Sequence, residues 1–216
     1  LLPLVIISPN DTELIAEGSD ERRKFIDTII SQFDNQYLQY LINYNNCLQQ
    51  RNSLLKNECK DAALFEIWEE QMVELGESIY QKRKNFIADF LPIFKQYYQV
   101  ISQGKETVDL KYNSQLNNLN FKTELQKSRE RDTYLGYTSK GIHKDDLEMM
   151  IGDYPIKRLG SQGQNKTYLI ALKLAKFDYI KRKAGFAPIL LLDDIFDKFD
   201  AGRVTSIIKL VGNHRF

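Results

Sequence analysis

The sequence predicts an α/β fold, α+β in the distribution of its elements, in which a strand-containing lobe carries a helical arm. Three observations predict it. A short apolar run opens the chain, two long stretches of helical apolar spacing occupy residues 36–101, and residues 158–200 run loop, helix, breaker, apolar strand and acid pair. At 216 residues the chain can bury a real core, and 43% hydrophobic with 27% charged residues is the balance of a chain that folds in water. The net charge of +1 supplies no global attraction for polyanions, so any nucleic-acid contact must rest on a local patch. Cys47 and Cys59 have neither CxxC spacing nor a neighbouring histidine and read as free thiols of a cytoplasmic protein, although their number alone is compatible with one bridge.

The opening run, Leu-Leu-Pro-Leu-Val-Ile-Ile, is too short to span a membrane and lacks a basic leader, so it reads as a buried strand. Because the chain starts on a strand and stops just after a helix, both ends read as cuts. Ser8, Pro9, Asn10 and Asp11 are turn residues, and residues 12–16 suit one helical turn. Ser19, followed by Asp20 and Glu21, is a good helix start for the apolar face of Phe25, Ile26, Ile29, Ile30 and Phe33.

Tyr37, Leu41, Tyr44, Leu48 and Leu55 mark the first long helix; Leu64, Trp68, Met72, Leu75, Ile79, Phe86, Phe90 and Phe94 mark the second, with Pro92 expected to kink it. The two form an antiparallel arm, its stripes are packing seams, and Trp68 is expected to anchor a core. Residues 107–112 alternate as a strand. The helix from about Phe121 to Asp132 carries Lys122, Lys127, Arg129 and Arg131, but Glu124, Glu130 and Asp132 are interleaved, which describes a solvated face better than a polyanion site. Residues 147–151 and 154–159 around Gly152 and Asp153 read as a hairpin, and His143, with no zinc spacing nearby, reads as structural. Three regions follow: residues 1–35, part of a lobe and the approach to the arm; residues 36–103, the arm; and residues 104–216, the rest of the lobe.

The chemistry concentrates in residues 158–200. Ser161 and Gly163 stand where a helix begins, so a hydroxyl and closely approachable backbone amides can meet a phosphate at the positive end of the helix dipole. An N-cap serine with turn glycines would account for that loop alone. The sequel outweighs that account: residues 189–192 are apolar and lead into Asp193, expected to be a costly carboxylate unless it binds a cation or donor, and then Asp194, expected to orient or deprotonate a water.

These pieces, Gly-Ser-Gln-Gly-Gln, Leu-Leu-Leu-Asp-Asp and Phe-Asp-Lys-Phe-Asp, resemble the signature motif, Walker B and D-loop of ABC-type ATPases of the SMC-like branch. Residues 8–11, 18–27 and 138–147 make the resemblance closest to the RecF family of bacterial recombination mediators, in the same order along nearly the whole chain. The resemblance implies an ABC-ATPase head with a short helical arm and an ATP-dependent homodimer. In it Ser161, Gln162, Gly163 and Gln164 would meet the ATP of the other subunit. Asp193 would hold Mg2+ through water, Asp194 would replace the usual catalytic glutamate, and Asp197 and Asp200 would belong to the D-loop. Asp197 and Phe199 depart from the usual Ser and Leu of that loop.

The implied role is to recognise gapped DNA, or junctions of single- and double-stranded DNA, and with RecR and RecO to load recombinase in DNA repair, replication, recombination and the SOS response. No GxxxxGK[ST] phosphate loop occurs in the chain, so by itself it is expected to bind ATP poorly and to be inactive. Two other readings compete: the head of an endonuclease of the overcoming-lysogenisation-defect type, and a non-catalytic scaffold whose arm docks partners.

Overall fold

In the computed structural model, residues 3–117, 119–193 and 201–212 are described. The chain opens with β1 (Leu4–Ile7), a 3-10 turn (Pro9–Thr12) and the short helix α1 (Glu13–Ala16). Then come α2 (Ser19–Ser31), α3 (Asn35–Lys56) and the 41-residue α4 (Ala62–Ser102). After β2 (Val108–Asn113) follow α5 (Phe121–Leu135), β3 (Asp146–Ile151), β4 (Tyr154–Pro155) and the single turn α6 (Ile156–Leu159). The last elements are α7 (Gln162–Ala184), β5 (Ile189–Leu192) and α8 (Ala201–Gly212). β1 pairs in parallel with β5, Leu4 opposite Ile189 and Ile7 opposite Leu192. β2, β3 and β4 make a second sheet in that order, with β3 and β4 antiparallel.

The residues divide into two compact units: Leu1–Arg22, Ile87–Lys111 and Glu148–Phe216 form one, Arg23–Phe86 and Tyr112–Leu147 the other. In the first, α7 is buried on most of its circumference. Phe177 and Ile180 pack against Val5 of β1, and Tyr168 lies 4.7 Å from the Phe94 ring and 5.8 Å from the Tyr98 ring of α4. α7 stops where Gly185 adopts φ 76°, which glycine reaches without a Cβ penalty, and Lys181, Arg182 and Lys183 in its last turn complement the dipole. The residues of β5 alternate between exposed and half-buried rather than being fully buried. With α7 covering one face, the alternation of a strand leaves Leu4, Ile6, Ile189 and Leu191 44–48% exposed on the other.

In the second unit α3 runs antiparallel to the first half of α4: Tyr37 meets Arg83, Tyr44 lies by Gly76, Cys47 reaches Gln71, and Arg51 meets Glu69. From Met72 to Phe94 the expected α4 seam is largely buried, with Met72, Ile79, Phe86, Phe90 and Phe94 inside, but in the first turns of α4 the buried positions lie one residue later than expected. Phe65, Glu69 and Met72 are buried, Leu64 is exposed and Trp68 is only half-buried, so Trp68 is not the core anchor. The reason is electrostatic. Burying Glu69 satisfies Arg51, whose Nε donates to it at 3.1 Å, and Arg129, whose Nη2 donates at 2.6 Å. α4 continues as helix through Pro92, whose side chain faces solvent. The hairpin is also shorter than expected, since β4 ends at Pro155 and residues 156–159 turn into α6 with Ile156 buried.

His143 is the structural histidine expected. Its Nδ1 lies 3.0 Å from the Tyr44 hydroxyl and its Nε2 3.0 Å from the Thr138 carbonyl oxygen, so a neutral ring with the proton on Nε2 satisfies both. Burial, reinforced by Lys144, Arg23 and Arg51, lowers its pKa to about 4, with the Thr138 hydrogen bond acting the other way. The folded state therefore binds fewer protons than the unfolded chain between about pH 4 and 6.5, and stability should fall as the pH drops through that window. In the full-length protein, urea midpoints of His143→Gln should lose about 2–3 kcal/mol of the wild-type pH dependence there. Equal slopes for the two proteins would remove His143 as the source.

Candidate functional site

The start of α7 is built by local hydrogen bonds. Ser161, in extended backbone, is the N-cap: its Oγ accepts the N–H of Gln164 at 3.2 Å, and its own N–H donates to Gln164 Oε1 at 2.7 Å. The N–H of Asn165 is taken by the Ser161 carbonyl oxygen at 2.9 Å. The first amides of a helix have no intrahelical acceptor, and here those of Gln162 and Gly163 remain directed out of it. A hydroxyl has one donor besides its lone pairs, so capping leaves the Ser161 O–H free to donate. Ser161 and Gln162 are exposed, Gly163 and Gln164 half-buried. The capping account and the anion account of this loop are therefore compatible.

Gly163 has a second role in packing. A Cβ there would lie 3.1 Å from Arg203 Nη1. Arg203, from α8, donates to Thr167 Oγ1 at 2.9 Å, and the Thr167 hydroxyl donates to the Gly163 carbonyl oxygen at 2.7 Å. Nothing in the local sequence around Gly163 announces Arg203, which comes 40 residues later.

The acidic part of the site stands on a different element. Asp193 follows β5, its N–H bonded to the Ile7 carbonyl oxygen at 2.9 Å, at the carboxyl ends of a parallel strand pair, the usual place for ligands in an open α/β sheet. Its side chain is exposed, so the desolvation cost expected from an apolar strand does not arise. At the same strand ends Lys173 Nζ donates to Asp11 Oδ1 at 2.6 Å and to the Ile6 carbonyl oxygen at 3.2 Å. Burial, then Lys173, lower the pKa of neighbouring Lys176 to about 8. Asp194, Asp197 and Asp200 lie outside the described residues. Among the described residues no cluster of three or more metal-ligating side chains exists. Asp193 is an exposed carboxylate, and magnesium, which keeps most of its waters, binds through one or two carboxylates plus phosphate.

No family model matches the chain. RecF of Bacteroides fragilis strain YCH46 is 56% identical over 216 residues, covering all of this chain, and RecF of Parabacteroides distasonis is 57% identical over the same length. Over its whole length the chain is RecF-like. It spans 58% and 59% of the length of these two curated relatives. A structure of the recombination mediator RecF with ATPrS matches with TM-score 0.87 and 33% identity over 98% of this chain and 60% of that one. RecF with ATP matches with TM-score 0.87 and 32% identity over 96% of this chain and 59% of that one. An Smc head domain from Pyrococcus furiosus, at TM-score 0.53 and 17% identity over 97% of this chain and 52% of that one, shares the fold alone. The fold is the α/β ABC-ATPase fold of RecF, as the sequence motifs implied.

Proposed function

We propose that this RecF-like chain forms part of an ATP-hydrolysing, DNA-binding recombination mediator, in which Ser161, Gln162, Gly163 and Gln164 bind the γ-phosphate of ATP held by a second copy. The observation that carries the reading is the start of α7. An exposed serine hydroxyl and two outward amides sit at the positive end of a 23-residue helix, in a chain that superimposes on RecF with ATP at TM-score 0.87. Asp193 would hold magnesium, and the ion when bound would supply neutralisation of phosphate charge. Asp194 accepts a proton at its carboxylate from the attacking water, and its reach, one methylene shorter than glutamate, fits slow turnover. Asp197 and Asp200 serve this reading as the D-loop residues that the sequence resemblance implies.

In the complete protein this chemistry serves gapped DNA or junctions of single- and double-stranded DNA, where the dimer acts with RecR and RecO to load recombinase. A cytoplasmic site of action is part of the same reading; separately, no helix among the described residues is long and apolar enough to cross a membrane. The full-length protein tests the reading by sedimentation with ATP and magnesium. Ser161→Arg should bind ATP as a monomer and fail to dimerise, whereas Asp194→Asn should dimerise and hydrolyse ATP about 100-fold more slowly. Normal ATP-driven dimerisation of Ser161→Arg would overturn the proposal.

A further inference from the structure

Gln164 has a partner far away in sequence. Its Nε2 donates to Glu106 Oε1 at 2.8 Å, and Glu106 lies in the short segment between α4 and β2. The other carboxylate oxygen of Glu106 accepts the Tyr98 hydroxyl at 2.5 Å. Tyr98 is fully buried, with its ring 6.2 Å from Phe94 and 5.8 Å from Tyr168. Tyr168 is fixed in turn by donating to the Asp109 carbonyl oxygen at 2.9 Å. A rigid aromatic cluster thus holds the carboxylate, and the carboxylate holds the glutamine.

The chemistry of the pair makes the link directional. An ionised carboxylate only accepts, so the NH2 of Gln164 must face Glu106, and the amide oxygen must then face the N–H of Ser161. Were the amide free to turn over, its NH2 would oppose the Ser161 N–H and the reciprocal cap would be lost. We infer that Glu106, anchored by Tyr98, is a positioning residue that fixes the orientation of Gln164 and so presents the Ser161 hydroxyl and the Gln162 and Gly163 amides to a phosphate. This rests on the proposed role of that loop. Glu106 touches no phosphate itself; it acts through Gln164.

Because the loop serves a nucleotide bound by the other copy, disturbing Glu106 should weaken dimerisation without weakening capture of ATP by the monomer. The test uses the full-length protein, with a fluorescent ATP analogue for monomer affinity and sedimentation in ATP and magnesium for dimerisation. Glu106→Ala should raise the dimer dissociation constant about tenfold, the usual order for losing a hydrogen bond to a charged group, while monomer affinity stays unchanged. Glu106→Gln should restore dimerisation, since its Oε1 can accept from Gln164 while its NH2 donates to the Tyr98 oxygen. In a double-mutant cycle, Glu106→Ala should add nothing once Gln164→Ala is present.

Wild-type dimerisation by Glu106→Ala, with Ser161→Arg monomeric, would overturn the inference and leave the loop's role standing. Equal loss of monomer ATP affinity, or additive effects in the cycle, would also overturn it. If Ser161→Arg dimerises normally as well, the failure lies with the proposed role of the loop.

Discussion

Arg83→Ala is expected to destabilise the full-length protein by about 3–5 kcal/mol, read as a lower urea midpoint and as faster hydrogen exchange in the amides of residues 23–86. Arg83 is 2% exposed. Its Nε and Nη2 donate to the two oxygens of Asp27, both at 2.9 Å, and its Nη1 reaches the Ile142 carbonyl oxygen at 2.9 Å and Asp145 Oδ2 at 3.2 Å. Burial opposes the charge of the guanidinium, yet Asp27 and the tyrosine oxygens around it hold its pKa above the ordinary value. Tyr37 donates to Asp27 and Tyr112 to Asp145, each at 2.5 Å. Alanine would remove the ion pair that Arg83 makes with the Asp145 carboxylate, which is 1% exposed. Arg83→Lys keeps the charge but cannot grip Asp27 with a planar fork, so it should recover only part of the loss. A midpoint unchanged in Arg83→Ala would show that the network is dispensable.

Gly141→Ala is expected to cost about 3 kcal/mol or more, for two reasons that add. The backbone at Gly141 has φ 131° and ψ 179°, a region that side-chain-bearing residues scarcely enter. A Cβ there would also collide with the Tyr44 hydroxyl and lie 2.9 Å from the Phe121 ring. Gly152→Ala provides the comparison, since Gly152 has φ 54° but no atom within 4 Å of a Cβ. It should cost about 1 kcal/mol, the backbone cost alone. Thermal midpoints of the two variants separate strain from collision, and equal losses would refute the collision.

Much of the framework was legible because it rests on local periodicity. The apolar spacing of residues 25–33 gives α2, that of residues 37–94 gives α3 and α4, and the Gly185 and Pro188 breakers separate α7 from β5. What escaped is what periodicity does not weigh. Arg51 and Arg83 sit in the buried seams of α3 and α4, positions an apolar count treats as gaps, and Arg51's partners Asp132 and Thr138 lie more than 80 residues away. The seam of α4 therefore shifted from Trp68 to Glu69. In the candidate site, Ser161 to Gln164 were legible as a helix opening. Glu106 and Arg203 were not, because their meaning comes only from the distant residues they touch. The exposed faces of β1 and β5 were also missed, since an apolar run does not reveal how many of its sides are covered.

The division of the chain also sets an order of events during synthesis. The unit made of Arg23–Phe86 and Tyr112–Leu147 has all its residues once the ribosome has released Leu147. The other unit draws on segments far apart in sequence: β1 waits for β5, more than 180 residues later, before its parallel ladder can form. Long-range parallel pairing is slow to close and leaves apolar strands uncovered meanwhile. The arginine-centred unit can thus fold on the ribosome as a finished piece, while the lobe that bears α7 must hold β1 in reserve until β5 has been synthesised.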